Sequence, residues 1–178
     1  MGKNILLGIT GSIAAFKACD LIGKLKRKGH SVRCVMSKDA ERFITPLTLE
    51  VLTGNKVIKD MFELPEERSP AHIAIADETD IVVIVPATAD VIGKIAAGLC
   101  PDILTCAVFA TKSPVVFAPA MNDNMFTNKI VQENITKLKS FGYHFIDPVK
   151  GTLACGREGI GHLAPLDRIV EEVEQILK

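Results

Sequence analysis

Cys155 stands in the run GTLACGREGIGHLA, among glycines at 151, 156, 159 and 161. A run so rich in glycine forms a mobile flap rather than a core element, able to close over a substrate and exclude water. A thiol carried there can give a proton or act as a nucleophile, although most lone cysteines are passive. Asn122 lies in APAMNDNMF, beside Met121 and Met125. A neutral amide orients a carboxylate without fixing it as an ion pair would, which suits a group that must leave as carbon dioxide. The two methionines serve equally as core filler. His72 opens the run AHIAIADETD, where an imidazole can act as general acid or base or simply cap a helix.

Two further segments could hold an anion or a flat ring. GITGSIAAFK leads from a strand-like run into a helical one, so its glycines allow a tight turn and its free N–H groups face an anion at the helix N-terminus. Taken alone, such a turn is more often an ordinary cap. It is neither GxGxxG nor GxxxxGK[ST], which disfavours NAD and nucleoside triphosphates. VPATAD places Ala87, Thr88, Ala89 and Asp90 after another strand-like run, at the edge where α/β sheets bind ligands. A Pro-Ala turn with Thr88 as a helix cap explains the same residues equally well.

These residues need a scaffold, and the chain alternates two kinds of run. Asn4 to Thr10, Ser31 to Met36, Ile81 to Val85, Val115 to Ala118 and Tyr143 to Ile146 read as strands, three of them almost wholly apolar, as strands buried on both faces must be. Between them, Ile13, Ala14, Ala18, Leu21, Ile22 and Leu25 share one helical face opposite Lys17, Lys24 and Lys28, and Gly29 stops the helix. A last helix from Asp167 repeats the pattern. The alternation predicts a three-layer α/β fold with a mostly parallel sheet, Rossmann-like or flavodoxin-like, in one domain spanning 1–178. Glu63 to Ala71 and Pro148 to Pro165 break the alternation as long loops, the second being the flap.

The 21 basic and 21 acidic residues cancel without a block of either sign, so no electrostatic footprint for nucleic acid or an anionic membrane exists. The expected partner is a small molecule or another subunit. Five cysteines without a CxxC pair point to reduced thiols in a cytoplasmic protein, against a disulfide framework or zinc. No apolar run reaches the length of a membrane span.

Each motif is weak alone, but their order and spacing match one family. Almost from end to end the chain resembles the homo-oligomeric flavin-containing cysteine decarboxylases. Their signatures are a glycine-serine first loop, a histidine before the third long strand, PASAN or PATAN after it, PxMNxxMW, and a flap with ACGxxGxG. Here these read GITGSIAAFK, AHIAIAD, PATAD, PAMNDNMF and ACGREGIG.

The resemblance implies FMN bound between subunits of a trimer, alone or within a dodecamer, with Gly11, Ser12, Ile13, Ser37, Thr88, Ala89, Asp90, Val91 and Ala120 at the flavin. It implies catalytic roles for His72, Asn122 and Cys155, and substrate contacts at Asn122, Met125 and Ala154. Members of the family oxidise a cysteine thiol to a thioaldehyde, whose neighbouring carboxylate leaves to give an enethiol. The flap cysteine belongs to the branch that then reduces the enethiol. Cys155 therefore implies decarboxylation of 4'-phosphopantothenoylcysteine to 4'-phosphopantetheine, ahead of the lantibiotic peptidyl-cysteine decarboxylases, a non-catalytic regulatory relative or a flavin prenyltransferase. Three positions depart from the pattern: Phe126 for Trp, Asp90-Val91 for Asn-Thr, and His162 where Arg is common. In bacteria the family is often fused to a C-terminal synthetase, and the sequence fits both a stand-alone enzyme and a first domain.

Overall fold

Strands buried on both faces must be apolar throughout, and the computed structural model, which describes residues 2–62, 71–154 and 156–178, places the apolar runs that way. The strands β1 (Asn4–Ile9), β2 (Ser31–Met36), β3 (Ile81–Ala87), β4 (Val115–Pro119) and β5 (His144–Phe145) form one sheet in the order β2-β1-β3-β4-β5. Every neighbouring pair is parallel. All of β3, at the centre, is buried.

Helices cover both faces. On one side, α1 (Lys17–Arg27), α2 (Pro46–Thr53) and α8 (Leu166–Ile176) turn Leu21, Ile22, Leu25, Leu49, Ile169 and Val173 onto the sheet. On the other, α3 (Ala71–Glu78), α4 (Ala89–Ala96), α5 (Ile103–Ala110) and α7 (Lys129–Ser140) contribute Ile75, Ile92, Leu104, Ala107, Ile135 and Leu138. Each fully buried leucine or isoleucine contributes about 1.5–3 kcal/mol relative to exposure. The expected three-layer α/β fold with a parallel sheet is therefore present. Among the described residues no helix is long and apolar enough to cross a membrane.

Two local expectations are corrected. Ile13 does not share the buried face of α1, because Ile13–Phe16 form a 3-10 turn before the α-helix starts at Lys17. With three residues per turn, positions i and i+3 align, and Ile13 and Phe16 both face outward, 58% and 56% exposed. The segment 148–165 is not a structureless loop either. It holds an antiparallel ribbon of β6 (Val149–Thr152) and β7 (Glu158–His162), whose short half-exposed strands carry too many glycines for the pattern of a buried strand. Of the other expected loop, Glu63 to Ala71, residues 63–70 lie outside the described residues, as does Cys155, and Ala71 opens α3.

The amino ends of β1 and β3 are tied by one carboxylate. Asp80 accepts the Asn4 N–H at 2.7 Å and the Lys3 ammonium at 3.3 Å. The Asn4 amide, then Lys3, holds the Asp80 pKa below its ordinary value. A lowered folded value adds stability above the ordinary Asp pKa of about 3.9 that is lost as pH falls through the folded value. Asp80→Asn should therefore lower the melting temperature at pH 7, and the gap to the parent should close as the pH is taken below 4. A gap unchanged by acid would show that the carboxylate's charge is immaterial there.

Candidate active site

In a parallel sheet the carboxyl ends of the strands lie at one edge, where the chain leaves each strand for the next helix and backbone groups are unpaired. The Gly11-Ser12-Ile13 turn leaves β1, Ser37 ends β2, Thr88 to Val91 leave β3, and Ala120 to Asn122 leave β4. The structure therefore brings the expected flavin-contact positions to one edge of the sheet.

Hydrogen bonds fix these ends to one another. Thr10 is buried at the end of β1; its hydroxyl donates to the Pro86 carbonyl at 2.6 Å and accepts the Thr88 N–H at 3.2 Å. Ser12 donates to the Ala120 carbonyl at 3.3 Å, and the Ala120 N–H donates to Ala87 at 3.2 Å. The Ser37 hydroxyl accepts the Ala40 N–H and the Thr88 hydroxyl accepts the Val91 N–H, so each retains its own O–H as a donor. Thr88 is the N-cap of α4, so the capping role and the edge position coexist.

Asp90 is the one expected flavin position with a charge. Its carboxylate meets the Lys94 ammonium at 2.7 Å, one helical turn on, and that bond raises the Lys94 pKa. The departure from asparagine therefore arrives with a counter-charge, which it shares with Asp102.

Asn122 caps the short helix α6 (Asp123–Phe126), its Oδ1 accepting the Asn124 N–H at 3.0 Å. The cap commits the oxygen end of the amide and sets its orientation. Phe126, which replaces the expected Trp, is buried. Met125, expected at the substrate, is 48% exposed.

The ribbon docks against this segment. The Met121 N–H donates to the Gly161 carbonyl at 3.1 Å, and Arg157 meets Asp123 at 3.2 Å. Gly159 and Gly161 make the approach possible: a Cβ would lie 2.7 Å from the Asp123 Cβ at the first and 2.2 Å from the Met121 carbonyl oxygen at the second, where φ is also +145°.

Between the ribbon and the start of α1 lies a cleft of about 410 Å³. Ser12, Ile13, Ala120, Asn122 and Ala154 all line it, so five of the expected positions share one cavity with Phe16, Lys17 and His162. Gly11, Ser37, Thr88, Ala89, Asp90, Val91 and Met125 are not on its walls. His72 is also absent from them; it lies in the first turn of α3, and its buried Nδ1 has no hydrogen-bond partner among the described residues. In the sequence Lys17 belongs to a polar helix face and Thr10 to the end of a strand. The distant partners that give each its position leave no local pattern.

A larger cavity of about 700 Å³ opens between α4, α5 and α7, at the amino end of β4 near Val115 and His144. It contains none of the motif residues and faces the edge of the sheet opposite the ligand edge.

The Flavoprotein family profile matches residues 1–178. The chain belongs to the flavoprotein family. Over 179 residues the flavoprotein is 42% identical to the probable phosphopantothenoylcysteine decarboxylase of Streptococcus mutans, covering 99% of this chain and 100% of that one. It is 41% identical over 169 residues to the coenzyme A biosynthesis bifunctional protein CoaBC of Borreliella burgdorferi, 95% of this chain but 43% of the relative. The chain thus spans less than half the length of such bifunctional relatives. Among solved structures, a mutant PPC decarboxylase complexed with pantothenoylaminoethenethiol superimposes with a TM-score of 0.90 at 30% identity, covering 98% of each chain. The FMN binding protein AtHal3 does so with a TM-score of 0.87 at 31% identity, covering 98% of this chain and 96% of that one.

Gly161→Ala should destabilise the flavoprotein by more than about 1 kcal/mol, since alanine resists this φ and its methyl would strike the Met121 carbonyl. Ribbon amides should lose protection from hydrogen exchange before the sheet does. Unchanged protection would mean that the ribbon is not held by this contact.

Proposed function

We propose that this flavoprotein is an FMN-dependent phosphopantothenoylcysteine decarboxylase, which converts 4'-phosphopantothenoylcysteine to 4'-phosphopantetheine and carbon dioxide in coenzyme A biosynthesis. The observation that carries the reading is the docking of the glycine-rich ribbon on Met121 and Asp123, which flank Asn122 on the cleft wall. Similarity to the Streptococcus mutans protein over both whole chains supports it.

The residues present fit the flavin. The hydroxyls of Ser37 and Thr88 retain their O–H groups as donors for a phosphate, Ser12 shares the edge with them, and the small Ala89 and Ala120 leave room for a ring. The one carboxylate among the contact positions, Asp90, is offset by Lys94. When bound, FMN supplies the acceptor and donor of two electrons that the chemistry needs. Gly11, Ile13 and Val91 complete the contact set.

The chain's own residues have separate tasks. Asn122 holds the substrate carboxylate as a neutral donor, so that charge is not fixed on a group about to depart as carbon dioxide. Met125 and Ala154 border the substrate, and the ribbon excludes water. His72 moves the proton of the substrate thiol. Because it lies off the cleft of its own chain, it serves the cleft of a neighbouring copy, in a trimer or a dodecamer built of trimers. Cys155 gives the proton that completes reduction of the enethiol. The domain acts as a unit over 1–178, in the cytoplasm.

Purified protein should be yellow with non-covalent FMN, run as a trimer or a multiple of trimers, and release 4'-phosphopantetheine from 4'-phosphopantothenoylcysteine. A colourless monomer that takes up no FMN would sink the reading. An oxidised product two mass units lighter from the unmutated protein would move it to the branch that modifies peptide cysteines.

Cys155→Ser should still release carbon dioxide but stop at the enethiol, two mass units below 4'-phosphopantetheine in a single turnover. A thiol of pKa about 8.5 yields a proton that a serine hydroxyl, a far weaker acid, does not. The solved mutant decarboxylase bound to pantothenoylaminoethenethiol supports this. Normal 4'-phosphopantetheine from the variant would remove Cys155 from the chemistry.

A further inference from the structure

Lys17 and His162 are far apart in sequence, one opening α1 and the other ending β7, yet they meet on the wall of the cleft, with Lys17 Nζ 3.0 Å from His162 Nε2. Among the described residues they are the only side chains on that wall that can carry a charge; the rest of the described lining is apolar or neutral, with no carboxylate. Among the described residues neither has an acidic partner. Other basic residues near this edge do: Lys94 has Asp90 and Asp102, Arg157 has Asp123.

A lysine next to a histidine, without an acid between them, is an arrangement that folding alone does not favour. The ammonium donates to the ring nitrogen, and the contact stabilises less than an ion pair would. Both groups can serve as donors to one anion. The ammonium has further N–H groups to give, and the imidazole becomes a donor when it carries its proton on Nε2. A dianion between them would gain two charge-assisted bonds in a mostly apolar cleft. The position of His162 is set independently of Lys17: Gly161, the residue before it, is bonded to Met121, and Gly151 packs across the ribbon on the imidazole, where a Cβ would lie 3.3 Å from its Cγ.

We infer that Lys17 and His162 form a subsite for a phosphomonoester, a role outside the flavin, substrate and catalytic positions assigned above. This rests on the decarboxylase reading only in the identity of the ligand. Two phosphomonoesters enter such a site, that of the flavin and that of the substrate, and both offer the same dianionic oxygens.

The test compares each phosphorylated ligand with its dephosphorylated form in the parent, Lys17→Gln and His162→Gln. Calorimetry of the FMN-loaded protein measures 4'-phosphopantetheine against pantetheine. Flavin release on dilution, followed by fluorescence, compares protein loaded with FMN and with riboflavin. In one of the two pairs, each variant should weaken the phosphorylated ligand roughly tenfold or more and leave the other form within about twofold, as expected for loss of a bond to a charged group. The pair affected identifies the source of the phosphate. Lys17→Arg should retain the discrimination, which separates the charge from any effect on folding. Unchanged discrimination in both pairs would overturn the subsite, and so would equal weakening of phosphorylated and dephosphorylated forms. A parent that binds with this discrimination but releases no carbon dioxide from 4'-phosphopantothenoylcysteine would sink the decarboxylase reading and leave the subsite standing.

Discussion

The buried hydroxyl of Thr10 joins β1 to β3 just where both strands give way to loops, donating to Pro86 and accepting from Thr88. A buried hydroxyl that loses its partners costs about 1–3 kcal/mol, so the two loops are held as one unit rather than as separate turns. Around that joint the other contacts follow in series. Ala87 accepts the Ala120 N–H, Ala120 accepts the Ser12 hydroxyl, and Met121 donates to Gly161 of the ribbon. The loops leaving β1, β3 and β4 and the ribbon are therefore coupled through backbone groups. Positions spread from residue 10 to residue 161 share one framework.

The ribbon shows how composition can serve two ends. Gly159 and Gly161 give it the look of a flexible segment, and glycine does lower the barrier to movement. In the folded chain the same absence of side chains allows β7 to touch the Met121–Asp123 segment at distances no other residue permits. The glycines thus specify a docked position. The Arg157–Asp123 pair, with its arginine largely exposed, adds up to about 1 kcal/mol to that docking.

The layers of the fold were legible because buried parallel strands and amphipathic helices leave long, redundant patterns. β3 is apolar throughout, and α1 and α8 repeat their apolar positions over three turns. The ribbon was not legible, since four or five half-exposed residues rich in glycine carry neither period. Ile13 departs from its pattern because the spacing 13, 14, 18, 21, 22, 25 continues a helix that tightens to a 3-10 turn at its start. At the site, the edge positions followed from strand ends and the motifs between them. The partnership of Lys17 with His162 did not, because it depends on how the ribbon folds back over α1, a contact across 145 residues. The separation of His72 from the cleft of its own chain was equally invisible, since motif order records neighbours in sequence and not which surface each one faces.

Charge is arranged more finely than a net value of zero suggests. Acidic residues do lie close to the ligand edge: Asp90 and Asp102 share Lys94, Asp123 meets Arg157, and Asp39 packs against Gly11. Fixed pairs of this kind project little field beyond a few ångströms, because the two charges cancel at a distance and solvent screens the rest. The cleft wall is different, with Lys17 and His162 unmatched by any described acid. Low-dielectric walls strengthen the field of such a group, so an anion entering the cleft meets a local positive potential on a neutral protein. Asp90 illustrates the constraint from the other side: a carboxylate on the first turn of α4 would repel a phosphate held at the same edge, and Lys94 one turn later, which Asp90 shares with Asp102, reduces that repulsion. A substitution that looks unfavourable at one position is thereby made compatible with an anionic ligand by a partner four residues away.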